Sequence, residues 1–449
     1  MKPSSIAIFI VVIACAVIDI SLKNWQKEER VIEHDIHSYY AYLPAYFIYD
    51  DIALKKSDYR YGDNQYRFWP AYTAEGEKVI KMTMGTAMLY SPFFFAGHLY
   101  AKNSTYEPNG FSEPYKIALL LSALFYLGLG LLVTKKILEL FCFSEAVISL
   151  TLLVLGLGTG LLCYSSQSAP MSHVYSFFLF AVFIYYSCRW HENTSIKNVL
   201  IIGFSFGLIS LVRPSNGVIA LFFILYNVTD RNSLLQKIKL FKNFWWQLVL
   251  IIVCTAIVWV PQIAYWKSVT GDYYYYAYGN ETFYWLKPKF LDVLFSYQKG
   301  WLVYTPLMLL AIGGVYFLKD ELRKFRLGII LFLISNTYII SCWWCWWYGG
   351  CLGQRSFIES YALLAIPLAA IIHVILKQKK YVSISAGVVV VFFCWLNIFQ
   401  TYQFEFKSLH HDGMSRKLYF KQFGKLDKVA DFEQHVRWPN YEEALKGNR

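Results

Sequence analysis

Asp35 stands in the run Glu33-His34-Asp35-Ile36-His37-Ser38-Tyr39-Tyr40-Ala41-Tyr42-Leu43-Pro44, where carboxylates, imidazoles and phenols crowd into one short segment. A carboxylate in that company can take a proton from a hydroxyl, and His37, Tyr39 and Tyr40 can orient the group that gives it up. Asp35 is the candidate base, with Glu33 its nearest rival. Farther on, Lys81 opens Lys81-Met82-Thr83-Met84-Gly85-Thr86-Ala87, and Arg213 opens Arg213-Pro214-Ser215-Asn216. Arg355 follows the turn from Gly349 to Gly353. Fixed cations of this kind can neutralise a phosphate, arginine bidentately. His173, Trp346 and Trp347 complete the candidates for positioning a substrate. Each has a plainer alternative: a helix cap for Asp35, a snorkelling stem for Lys81, an interfacial aromatic belt for the tryptophans. Arg213 is harder to dismiss, because an arginine at membrane depth is costly without a partner or a task.

The elements that must hold these groups are membrane helices. Of 449 residues, 57% are hydrophobic and 16% charged, against about 25% charged in soluble domains. Apolar runs recur, each long enough to cross roughly 30 Å of hydrocarbon. The net charge of +12 falls in short loops between runs, which fits the positive-inside rule better than nucleic-acid binding. Nine cysteines lie mostly inside apolar runs, where a free thiol acts as a small hydrophobe. Cys342 and Cys345 have redox-motif spacing, and a Cys345–Cys351 disulfide is the competing pairing. Asp50-Asp51 has no clustered partners that would make it a metal site, and no cofactor is expected.

The expected organisation is an all-α polytopic protein of about eleven spans, N-terminus inside. Ile6 to Leu22 crosses first. An external loop over 23–114 carries two juxtamembrane helices, Tyr39 to Tyr49 and Met82 to Tyr100. Spans follow at Tyr115 to Val133, Ala146 to Cys163 and His173 to Cys188. Val199 to Tyr226 is too short for two full spans and is read as a pair of short helices turning at Arg213-Pro214. Phe244 to Trp266, Trp301 to Leu318, Leu327 to Trp347, Phe357 to Leu376 and Val382 to Phe399 complete the set. The membrane domain is 1–399, and 400–449 is a short external tail. This topology gathers Asp35, Lys81, His173, Arg213 and Arg355 on one face.

With that order and sidedness, the chain resembles the GT-C fold glycosyltransferases, the group of protein O-mannosyltransferases and lipid A aminoarabinose transferases with their bacterial relatives. Asp35 sits where that group carries its catalytic acid, shortly after the first span. Lys81 ahead of Gly85-Thr86-Ala87 and Arg355 in Gly353-Gln354-Arg355-Ser356-Phe357, with Pro367 downstream, correspond to its basic residues. Ser172-His173-Val174-Tyr175, Val212-Arg213-Pro214 and Gly300-Trp301-Leu302-Val303-Tyr304-Thr305-Pro306 match further. Two departures stand out. The mannosyltransferases' Asp-Glu pair is a lone Asp35, and their Pro-Pro is Thr83-Met84-Gly85. Donor and acceptor identities therefore do not carry over. The resemblance implies transfer of a sugar from a polyprenyl-phosphate donor to a protein, lipid or glycan acceptor. It implies the periplasmic face of a bacterial inner membrane, with membrane lipids as partners; fixed cations would stabilise the leaving phosphate, so no metal is required. A flippase for a lipid-linked glycan is the rival expectation, and an envelope-assembly scaffold is another; a flippase should line a path through the spans with charge and favour inverted repeats.

Overall fold

A computed structural model describes residues 1–56 and 67–449. Among the described residues, six helices are long and apolar enough to cross a membrane: Pro3–Gln26, Glu113–Leu140, Trp245–Thr270, Asp320–Cys342, Arg355–Leu376 and Lys380–Glu405. Shorter apolar helices lie at Glu145–Leu157, Ile196–Val212, Pro214–Leu225 and Met308–Phe317, and Ser172–Glu192 is a largely buried helix among them. Among the described residues the only strands are Ala71–Tyr72 and Lys78–Val79, paired antiparallel. Large apolar side chains such as Ile252, Ile257, Val388 and Val391 face outward. Such faces need lipid, since water would not tolerate so extended an apolar surface. The chain is a multi-pass membrane protein.

Local chemistry explains where the helices start and stop. Ser144 and Ser195 cap their helices by accepting from the backbone N–H of Val147 and Asn198. Pro214 forces Arg213 into extended backbone, φ −151° and ψ 111°, which ends the Ile196–Val212 helix. The short pair expected there therefore forms. The same physics breaks an expected span: Pro306 holds Thr305 at φ −137°, dividing Trp301 to Leu318 into the helices Trp301–Tyr304 and Met308–Gly314. The juxtamembrane helices are Asp35–Tyr40 with Tyr42–Phe47, and Gly85–Lys102.

The centre of the bundle is Ser172–Glu192, packed against Glu113–Leu140 and Ile196–Val212. Trp245–Thr270 lies close along Ile196–Val212 because a Cβ on Gly203 or Gly207 would sit 2.6 Å from the Cys254 Cβ or 2.8 Å from the Val258 Cβ. Small residues allow such approach between membrane helices. All nine cysteines are free. The Cys345–Cys351 bridge is thus absent, Cys342 and Cys345 are separate free thiols, and the Cys351 thiol faces the Trp347 and Gly353 carbonyls as a donor.

The last helix runs on to Glu405 rather than ending at Phe399. The chain beyond folds back on the body. Gln400 Nε2 donates to the Tyr419 hydroxyl at 2.8 Å and Gln403 Nε2 to the Gln422 carbonyl at 2.9 Å.

Candidate active site

A cavity of about 2700 Å³ opens between the loop after the first helix, the Arg213 turn, the segment before Arg355 and the tail. Asp35, His37, Tyr39, Lys81, His173, Arg213 and Arg355 all line it. Groups distant in sequence are thus brought to one space.

Asp35 begins a short helix, and its Oδ2 accepts from Arg355 Nη2 at 3.0 Å. The two side chains are 22% and 14% exposed, so the carboxylate meets both its cation and the cavity. Arg355 Nε is buried with no hydrogen-bond partner, which leaves part of the guanidinium fork uncommitted. Tyr39 accepts from the Ser172 hydroxyl at 3.3 Å. Burial, reinforced by Asp35, pushes its phenol up, so it stays protonated and can donate. His37 Nδ1 lies 3.0 Å from the Arg67 carbonyl. Only a donor fits that partner, so the Nδ1–H tautomer is assigned and Nε2 is left as an acceptor. Burial lowers the imidazole pKa, which keeps the ring neutral.

Lys81 Nζ donates to Glu281 Oε1 at 2.6 Å and lies 5.2 Å from the Tyr278 ring centre. Its loop is docked on the Arg213 break. Met84 N–H donates to Gln262 Oε1 at 2.8 Å, and the Thr83 hydroxyl donates to the Leu211 carbonyl. Gly85 follows because a Cβ there would fall 2.5 Å from the Val212 nitrogen. Arg213 Nη1 donates to Glu359 Oε1 at 3.0 Å, and His173 Nδ1 donates to the same oxygen at 2.9 Å. Every cation among these candidates therefore already has a carboxylate.

Three expected positioning residues lie elsewhere. Tyr40 is fully buried and does not line the cavity; its hydroxyl donates to the Gly110 carbonyl at 2.6 Å and its ring meets Phe94 and Phe111 edge-on. Trp346 and Trp347 are buried behind the wall, where the Trp347 indole N–H donates to the Tyr441 hydroxyl at 3.2 Å. Trp343, Trp344 and Tyr348 face the cavity in their place. Glu33 also lines it, but it sits 3.8 Å from Arg30, which holds Glu405 at 2.7 Å. Burial pushes the Glu33 carboxyl up despite the nearby cation.

Glu281 and Glu359 escaped the sequence reading. Glu359 carried a usable signal, a lone acid at the head of an apolar run. Glu281 had none, since it sits in a tyrosine-rich loop and matters only through Lys81, 200 positions away.

No family model matches the sequence, and no curated protein matches it. Solved structures do. The archaeal oligosaccharyltransferase AglB from Archaeoglobus fulgidus, in complex with an inhibitory peptide and a dolichol-phosphate, superposes at TM-score 0.50 with 15% identity, covering 92% of this chain and 57% of that one. The Archaeoglobus fulgidus oligosaccharyltransferase in complex with Zn and sulfate gives TM-score 0.50 and 14% identity, covering 97% and 59%. The chain has the GT-C fold. At this identity the likeness concerns the fold alone, and this GT-C chain spans less than three-fifths of the length of those structures. Among the described residues, no three His, Cys, Asp or Glu side chains gather where they could hold an ion.

Proposed function

We propose that this GT-C chain is a membrane glycosyltransferase that moves a sugar from a polyprenyl-phosphate donor to an acceptor hydroxyl on the external face of a bacterial inner membrane. The observation that carries the reading is the pairing of Asp35 with Arg355 in a cavity that also receives Lys81 and Arg213. Asp35 takes the proton of the acceptor hydroxyl as its oxygen attacks the anomeric carbon, and the bond from that carbon to the phosphate oxygen breaks. The polyprenyl phosphate leaves with the electron pair. Its charge is met by the free donors of Arg355 and Arg213 and by Lys81, groups set in place before the reaction. Tyr39, His37 and His173 orient the reacting sugar. No step passes through a metal.

A second cavity of about 500 Å³ suits the donor's tail. Pro214, Ser215 and Phe283 line it and the main cavity alike, and Leu221, Ile224 and Ile339 make its remainder apolar. A lipid phosphate held at Arg213 would thread its chain into that groove. The proposed topology has about eleven crossings, with the shorter apolar helices and Ser172–Glu192 added to the long ones.

Purified protein incubated with radiolabelled polyprenyl-phosphate sugars and an acceptor panel tests the reading. Label should move to an acceptor, and Asp35→Asn should abolish that transfer while the protein stays folded. Full activity in the variant overturns the role of Asp35, and transport of the lipid without transfer overturns the enzyme reading.

A further inference from the structure

One wall of the cavity is aromatic, and neither proton transfer nor phosphate binding uses it. Tyr276 and Tyr278 come from the tyrosine-rich loop, Trp343 and Trp344 from the segment before Arg355, and Trp438 and Tyr441 from the tail. Several of the rings meet in pairs within the wall. Tyr276 and Tyr278 centres lie 5.6 Å apart, Tyr278 meets Trp343 edge-on at 5.7 Å, and Trp344 meets Tyr441 at 6.0 Å. The wall begins at the phosphate cations, where Lys81 Nζ sits 5.2 Å from the Tyr278 ring centre. It reaches Trp438, which is 62% exposed and stands edge-on to His410 at 4.5 Å. Along its border, Asp412 and His411 line the same cavity, and the buried Trp344 indole N–H has no partner.

Aromatic residues of a membrane protein are most simply explained as packing or as a lipid-facing belt. These six instead converge from three separate segments on an internal space. A pyranose presents an apolar C–H face whose hydrogens carry partial positive charge, which suits the electron-rich face of an aromatic ring. Its rim of hydroxyls needs carboxylates, imidazoles and N–H donors, the groups found at the border. An extended peptide is ordinarily held by main-chain hydrogen bonds along a strand edge. Here the neighbouring backbone is already engaged: Trp344 N–H donates to the Thr282 carbonyl at 3.0 Å and Tyr284 N–H to the Cys342 carbonyl at 2.7 Å. The wall offers ring faces and side-chain polar groups in place of a strand edge.

We infer that this wall is the acceptor subsite and that its occupant is a glycan chain, laid along the rings with its terminal hydroxyl presented to Asp35. The inference rests on the glycosyltransferase reading above. Its test does not depend on turnover. Full-length protein in detergent, without donor, is applied to a broad glycan array and to a peptide array. Trp343→Ala and Trp438→Ala are run alongside, the second because its exposed side chain can be lost without disturbing the core, and polyprenyl-phosphate binding serves as the folding control. Glycans should be retained in preference to peptides, and each substitution should weaken that retention about tenfold while the lipid phosphate still binds. Retention of peptides alone, retention of no glycan, or glycan binding unchanged in both variants overturns the inference. Glycan binding without any sugar transfer instead removes the glycosyltransferase reading and leaves the subsite standing.

Discussion

Asp35 with Arg355, and Glu359 with Arg213, are the same chemical pair built twice around one cavity, at 3.0 Å in each case. They differ in what the carboxylate can reach. The Asp35 side chain is 22% exposed and lines the cavity, whereas that of Glu359 is 3% exposed and lies behind it. Among the described residues Asp35 has one ionic partner. Glu359 spends a single oxygen on both Arg213 and His173, and its other oxygen has no hydrogen-bond partner. A proton acceptor must touch its substrate, so exposure favours Asp35 over Glu359 for the proposed proton transfer. Burial gives Glu359 the different task of fixing the directions of an arginine and an imidazole that do reach the cavity. The pair that is easier to find by charge within an apolar run is therefore the one whose carboxylate is shut away from the cavity.

Substitutions can break this division of labour. Asp35→Asn should lower the transfer rate on the order of 10³-fold, as loss of a general base does, with little change in thermal stability; a large loss of stability would make Asp35 structural instead. Glu359→Ala should act the other way, costing about 3 kcal/mol of stability by leaving Arg213 largely buried and unpaired. Detergent melting curves check it, and an unchanged melting temperature with abolished activity would reverse the two roles. Arg355→Lys keeps the charge but loses the fork, so kcat should fall roughly tenfold or more when donor is saturating. Wild-type kcat in that variant would mean that the fork contributes nothing beyond charge. Tyr40→Phe deletes only the bond to Gly110, for about 1 kcal/mol of stability and no effect on KM; a raised KM would return Tyr40 to the site.

A smaller effect concerns the tail. Burial, helped by the neighbouring His411, lowers the His410 pKa from 6.5 to about 4. An unfolded tail takes up a proton near 6.5 that the folded tail refuses, so docking is firm above that pH and weakens as pH falls from 6.5 towards 4. Limited proteolysis at pH 7.5 and pH 5 should show faster cleavage within 406–449 at the lower pH, and His410→Gln should flatten the difference.

What the sequence makes legible is whatever rests on local physics. The break at Arg213 follows from the proline after it, and the order of apolar runs, with their charged flanks, places Asp35, Lys81 and Arg355 in one cavity. Three things escape local reasoning. Tyr39 and Tyr40 are adjacent in a helix of six residues, too short to reveal by periodicity which one faces inward. Trp343 and Trp344 line the cavity while Trp346 and Trp347 turn away, a distinction made by a non-helical stretch that has no repeat to read. The carboxylate partners of Lys81 and Arg213 are set by tertiary packing across 200 and 146 positions.

The span of the central contact has a temporal meaning as well. Asp35 and Arg355 are 320 positions apart, and the tie from Arg30 to Glu405, which draws the first loop to the end of the last helix, crosses 375. A ribosome delivers the first of each pair long before the second, and distant contacts form only after the chain between them is ordered. The nascent chain therefore passes most of its insertion with an acid that has no cation and a cavity that has no far wall. The cavity is complete only when the helix Lys380–Glu405 and the tail after it have left the ribosome, so chains truncated before Glu405 should accumulate in the membrane without its far wall.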